Sequence, residues 1–170
     1  MTNVDLSRVP EYYHKYVLLA NNDDLETAFE KHQKRASSFL KSIPRKKWKH
    51  SYSEGKWTIK EVVQHIIDAE RIFAYRALCF ARKDKTPLPS FDENLFAANS
   101  NANERTKKDL IAELMLVQKS SALLFNSFNE EQLNQPGVAS GQPTYVKGLG
   151  YILVGHTLHH LNILEERYLG

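Results

Sequence analysis

The chain has 170 residues, of which 42% are hydrophobic and 25% charged, so it has the length for one domain with a sizeable core and the composition of an ordinary soluble globular protein. The formal net charge is +3 with neutral histidines, with Lys and Arg spread along the chain, and the single cysteine excludes any internal disulfide, which fits a reducing, cytoplasmic setting. No run of about 18 apolar residues marks a membrane span, and the start, Met1 to Leu6, lacks the basic-then-apolar order of a signal peptide.

The one dense basic cluster, Pro44-Arg45-Lys46-Lys47-Trp48-Lys49-His50, reads as a solvated loop between helices. No second basic stretch or nucleic-acid motif accompanies it, so no nucleic-acid partner is expected.

Residues 1–21 hold Pro10 and three nearby tyrosines and read as an extended or short helical lead-in over the body of the protein. Asn22-Asp23-Asp24 supply a cap and favourable charge for a first long helix, whose stripe is Leu25, Phe29, His32, Ala36, Phe39 and Leu40 and which Pro44 stops. A second helix begins with the capping box Thr58-Ile59-Lys60-Glu61 and runs to about Arg82 with a broad apolar face. Pro87 and Pro89 end it, and Phe91–Phe96 read as a helical turn in the loop that follows. A third helix starts near Thr106, with Asp109 as a partial capping partner and Leu110, Leu114, Val117, Ser121, Leu124 and Phe128 as its buried stripe. Residues 129–144 are rich in Pro, Gly, Ser and Gln and read as a covering connection, and a fourth helix spans roughly 145–168. No strand is expected. The fold class is all-α, a four-helix bundle with long connecting loops in a single domain over 1–170. Cys79, inside the second helical pattern, reads as a small packed residue.

Of seven histidines, His156 and His160 are four apart and therefore point the same way from one helix, close enough to share one metal ion. In a chain with this many histidines such a pair carries little weight alone. Its apolar surroundings add some, because two buried imidazoles need partners. His65 lies in an equally apolar stretch of the second helix, where it reads either as a third ligand or as a core histidine bonded to a carbonyl. His159 projects about 100° away from His160. His14 and His50 read as solvated, and His32, on the first helix's stripe, is a candidate fourth ligand.

Two segments resemble the DinB-like superfamily, also described as YfiT-like metal-dependent hydrolases: Lys56-Trp57-Thr58-Ile59-Lys60-Glu61-Val62-Val63-Gln64-His65-Ile66-Ile67-Asp68-Ala69-Glu70 and Gly155-His156-Thr157-Leu158-His159-His160-Leu161-Asn162-Ile163-Leu164. The resemblance implies that His65, His156 and His160 ligate one divalent metal, zinc or nickel, in a four-helix bundle that often dimerises. It also implies a small-molecule substrate and, by analogy with relatives that act with thiols, a low-molecular-weight thiol as cosubstrate.

Three imidazoles leave an open coordination position. A water there is acidified towards neutrality, and a thiol there loses its proton. Around this centre Asp68 is a candidate proton acceptor or imidazole-orienting carboxylate, Arg76 a candidate carboxylate-binding group, and Trp57 and Phe91 candidate walls. Each has an ordinary alternative: a surface carboxylate, a salt bridge, and core packing. No phosphate-binding glycine loop, dinucleotide turn or serine elbow is present, and the paired Glu-x-x-His motifs of a di-iron bundle are missing.

Overall fold

The structure, a computed structural model, describes residues 4–170. The first three residues of the N-terminal lead-in and of the signal-peptide reading lie outside the described residues. No helix among them is long and apolar enough to cross a membrane.

After two 3-10 turns, at Leu6–Arg8 and Glu11–Tyr13, come α1 (His14–Ala20), α2 (Leu25–Ser42), α3 (Ile59–Ala81), α4 (Glu93–Asn99), α5 (Lys107–Asn126) and a single turn α6 (Glu130–Leu133). Strands β1 (Pro136–Ala139) and β2 (Gln142–Tyr145) follow, then α7 (Val146–Ile163), prolonged by a π-helical segment over Leu164–Leu169. The lead-in is thus mostly helical. The connection over 129–144 contains a helical turn and an antiparallel hairpin in which Pro136 pairs with Tyr145 and Ala139 with Gln142, a correction to the expectation of no strand.

Local chemistry sets the helix starts. Asp24 accepts from Thr27 N at the head of α2, and Thr106 Oγ1 accepts from Asp109 N at the head of α5. At the head of α3 both halves of the capping box form: Glu61 N donates to Thr58 Oγ1 at 3.2 Å and Thr58 N to Glu61 Oε2 at 2.7 Å.

Helices α2, α3, α5 and α7 form the bundle. Their cross-contacts give the directions. Leu25 meets Gly150 and Arg35 bonds Asn162, so α2 and α7 run parallel. Gln33 reaches Met115 O while Phe29 stacks on Phe125, so α2 and α5 are antiparallel. Trp57 meets Tyr168 and His65 meets His156, so α3 opposes α7. Helix α1 lies along α7, and Gly155 makes this possible: a Cβ there would sit 1.9 Å from Tyr16 O and 2.4 Å from its carbonyl carbon.

The apolar interior falls into two clusters. One gathers Val17, Phe29, Phe73, Phe80, Phe125 and Tyr151. The other gathers Leu40, Trp48, Ile59, Ile66, Leu110 and Leu161. Between them each bundle helix contributes buried polar residues: His32 from α2, His65 and Glu70 from α3, Gln118 and Ser121 from α5, and His156 and Thr157 from α7. The core is therefore two apolar halves joined by a polar waist.

The buried face of α5 is rotated from the expected stripe, with Gln118 and Phe125 inside where Val117 and Leu124 were expected. His14 is also not solvated: its Nε2 lies 3.1 Å from Leu6 O and 2.8 Å from Val9 O, tying the first turns together. His50 is exposed. Cys79 is buried and unpaired in the first cluster. The basic residues around Arg45 gain company that the linear chain does not show, because Lys107 and Lys108 at the start of α5 line the same surface groove as Lys41 and Arg45.

Candidate metal centre

Helix α3 delivers His65 and α7 delivers His156 and His160 to one point within the waist. Nε2 of His156 is 3.0 Å from His65 Nε2 and 3.1 Å from His160 Nε2. One ligand atom from each of the three lies within 4.8 Å of the others. Ligands held 2.0–2.1 Å from a tetrahedral ion stand about 3.3 Å apart, so these separations are within a few tenths of an ångström of a ligand set.

The contacts are hard to satisfy without a cation. The Nε2 of His156 faces two other Nε2 atoms, and a neutral imidazole nitrogen carries either one proton or one lone pair. Burial keeps the rings neutral. Desolvation pushes His65 down to about 4, and desolvation followed by neighbouring histidines holds His156 and His160 well below the usual histidine range. At neutral pH all three therefore offer lone pairs, and the donor set fits a divalent ion.

The surroundings fix the rings. Tyr16 of α1 packs edge-on to His156 with centroids 5.5 Å apart, Phe73 does so from α3 at 6.0 Å, and Trp57 lies 4.9 Å from His65. Trp57 is itself anchored, since its carbonyl accepts from Tyr168 Oη at 2.7 Å.

His160 is the exit. It is partly exposed and forms part of the wall of a cavity of about 260 Å³ lined also by Tyr52, Gly55, Lys56, Trp57, Val62, Glu93, Asn94, Ile163, Arg167 and Tyr168. Of the residues expected around the metal, the structure brings Trp57 to this cavity and places the others elsewhere. Asp68 accepts from Gln64 Nε2 at 2.9 Å and faces a groove with Arg71, Leu95 and Phe96. Desolvation raises its carboxyl above the usual range. Arg76 is buried and donates to Pro89 O at 2.7 Å and Ser140 Oγ at 3.0 Å, so it pins the loop after α3 to the hairpin rather than forming a surface salt bridge. Phe91 stacks on Phe96, 5.3 Å away.

Glu70 is buried with no ion-pair partner among the described residues, and the neighbouring Arg71 bonds Glu113 at 2.7 Å. His32 lies outside the three-histidine cluster. Its Nδ1 is 3.2 Å from Ala28 O, and its Nε2 is buried with no hydrogen-bond partner among the described residues. His159 packs against the rings of Tyr16 and His160.

Tyr52, Lys56, Glu93, Asn94 and Arg167 were not foreseen. Only Arg167 left a trace in the sequence. His156, His160, Ile163 and Arg167 follow one another at spacings of four, three and four, a single stripe along one helix face.

Comparison with known proteins agrees with this architecture. The DinB superfamily profile matches residues 28–164. A protein of Oceanobacillus iheyensis named "Putative metal-dependent hydrolase" is 27% identical over 135 residues, which cover 78% of this chain and 76% of the relative. The solved structure of YfiT from Bacillus subtilis, described as "a probable metal-dependent hydrolase with an unusual four-helix bundle topology", matches with a TM-score of 0.76 over 86% of this chain and 85% of that one. At 15% identity this likeness speaks for the fold. The profile spans both histidine segments and reaches into all four bundle helices, and the chain belongs to the DinB superfamily.

Proposed function

We propose that the chain is a metal-dependent enzyme that acts on a small molecule at His65, His156 and His160, by hydrolysis or by transfer to a thiol. The observation that carries this reading is the convergence of three neutral Nε2 atoms beside a cavity that reaches one of them, His160. His65, His156 and His160 would hold a divalent ion, which the family resemblance makes zinc or nickel, and it would supply Lewis acidity to a water or thiol.

The chain's own contributions are binding and exclusion. Trp57, Tyr52 and Tyr168 wall the cavity on one side, and Ile163 and Val62 make it partly apolar. His156 is sealed beneath Tyr16 and Phe73, so entry is from the His160 side. The relative from Oceanobacillus, named "Putative metal-dependent hydrolase", supports the hydrolytic form. The ligand set serves thiol transfer equally. A bundle that binds metal only for structure, and acts through a protein partner, would close its coordination shell. The cavity at His160 favours the enzyme.

The test is a turnover screen of zinc- and nickel-loaded protein with esters, amides, and thiols paired with electrophiles. Activity that is present in the wild type, lost in His160→Ala and restored by neither metal in that variant is the expected result. Turnover that survives His160→Ala unchanged would refute the assignment.

A further inference from the structure

The cavity beside His160 carries a charge pattern that three neutral imidazoles do not account for. Two cations stand on its wall: Lys56, just before the start of α3, and Arg167, in the π-helical segment that prolongs α7. Both are exposed, and neither has an ion-pair partner among the described residues. Arg167 makes one long contact, 3.4 Å from Nη1 to Tyr52 Oη, with its guanidinium 5.7 Å from the centre of that ring. Most of its fork of donors is free for a ligand.

The placement of Arg167 follows from the helix. It lies seven positions after His160 on the same stripe, roughly 10 Å further along the axis, and its long side chain reaches across part of that distance. A short π-helical stretch at this point is a feature often found at functional sites. The docking of Tyr168 on Trp57 O and of its ring against Tyr52, 4.9 Å away, holds the segment over the cavity.

One carboxylate, Glu93, stands on the same wall and opposes a second negative charge on a ligand. Glu61, which lies near Tyr168, is committed to Thr58 N and Asn103 Nδ2. The volume of about 260 Å³ is that of roughly nine waters, and so of a molecule with about nine non-hydrogen atoms.

We propose that this cavity selects small monocarboxylates, with the carboxylate held by Arg167 and Lys56 at the mouth and the other end of the molecule directed at the three imidazoles. The proposal names the substrate class of the enzyme put forward above and rests on that reading for its meaning in catalysis. Binding of the acid itself requires only the chain.

The experiment uses the full chain, metal-free and ¹⁵N-labelled, near pH 7, and follows the Trp57 indole N–H resonance during titration with hexanoate, with its neutral isostere hexanamide, and with butyl phosphate. Hexanoate is expected to give a saturable shift at a dissociation constant at least ten-fold lower than that of hexanamide, with butyl phosphate the weaker anion. The Lys56→Ala/Arg167→Ala variant is expected to abolish the preference for the acid while keeping the wild-type melting temperature. Equal binding of hexanoate and hexanamide, a preference that survives in the double variant, tighter binding of the phosphate, or no saturable response to any probe would each overturn the proposal. Metal content, measured separately on the wild type, decides the metal-centre reading: protein that takes up no metal but still prefers the acid would sink that reading and leave this one standing.

Discussion

The polar waist of the bundle has two halves that answer the same problem differently. On the α3–α7 side, two buried imidazoles and the partly exposed ring of His160 bring their nitrogens together beside a cavity that opens at His160. Elsewhere in the waist His32, Glu70, Gln118 and Thr157 are buried and form no three-ligand cluster, and among the described residues His32 Nε2, Glu70 Oε1, both side-chain polar atoms of Gln118 and Thr157 Oγ1 have no hydrogen-bond partner. Desolvation lowers His32 and His65 alike, each to about 4. Depth in the core therefore does not separate a ligand from a core histidine. Convergence of lone pairs on one point, with a route to solvent, does.

The closed half sets the largest effect. Burial pushes the Glu70 carboxyl up to about 8, against an ordinary 4.5. The folded chain thus keeps a proton that the unfolded chain releases, so stability falls as pH rises from about 4.5 to 8, by as much as about 5 kcal/mol. Urea midpoints measured across this range should decline in the wild type and flatten on the alkaline side in Glu70→Gln. A wild-type profile flat between these limits would mean that Glu70 is ionised in the fold and has a partner.

His32 works in the opposite direction. Its lowered value means that the unfolded chain takes up a proton the folded chain refuses, and stability is lost as pH falls from about 6.5 to 4, by about 3 kcal/mol. Replacing it with Phe should shallow the acid limb of the same urea profile without changing metal content.

Next comes the cover over the open half. Gly155→Ala drives a Cβ into the Tyr16 backbone, where no side chain can swing aside. A loss on the order of 3 kcal/mol is expected in denaturant unfolding, together with weaker metal retention, since Tyr16 seals His156. Unchanged stability would show that α1 does not pack on α7 as described.

The smallest effect concerns the rim. Thr58→Ala breaks the capping box that starts α3 next to Trp57. It should cost about 1 kcal/mol, a drop of about 2–4 °C in Tm for a chain of this size, with metal content intact.

What the amino-acid order revealed, and what it hid, follows from range. The Thr58 cap, the Asp24 cap and the four-residue spacing of His156 and His160 are local, and they read correctly. The hairpin escaped notice because its strands are four residues each and hold Pro136, Gly137 and Pro143, which argue against a strand in isolation. His32 resembled a candidate ligand because an apolar stripe reports burial and not direction. Arg76 suggested a substrate contact, yet its partners are the carbonyl of Pro89 and the hydroxyl of Ser140. Tyr52, Lys56, Glu93 and Asn94 come from loops or a helix start, and only tertiary packing brings them to His160.

The most direct measurement is elemental analysis of protein purified in parallel as wild type, His159→Ala and His160→Ala. The two substituted residues are adjacent in sequence and differ chiefly in whether they face the cluster. About one divalent ion per chain in the wild type and in His159→Ala, with little or none in His160→Ala, is the predicted result. Equal metal in all three, or none in the wild type, would contradict a metal centre at His65, His156 and His160.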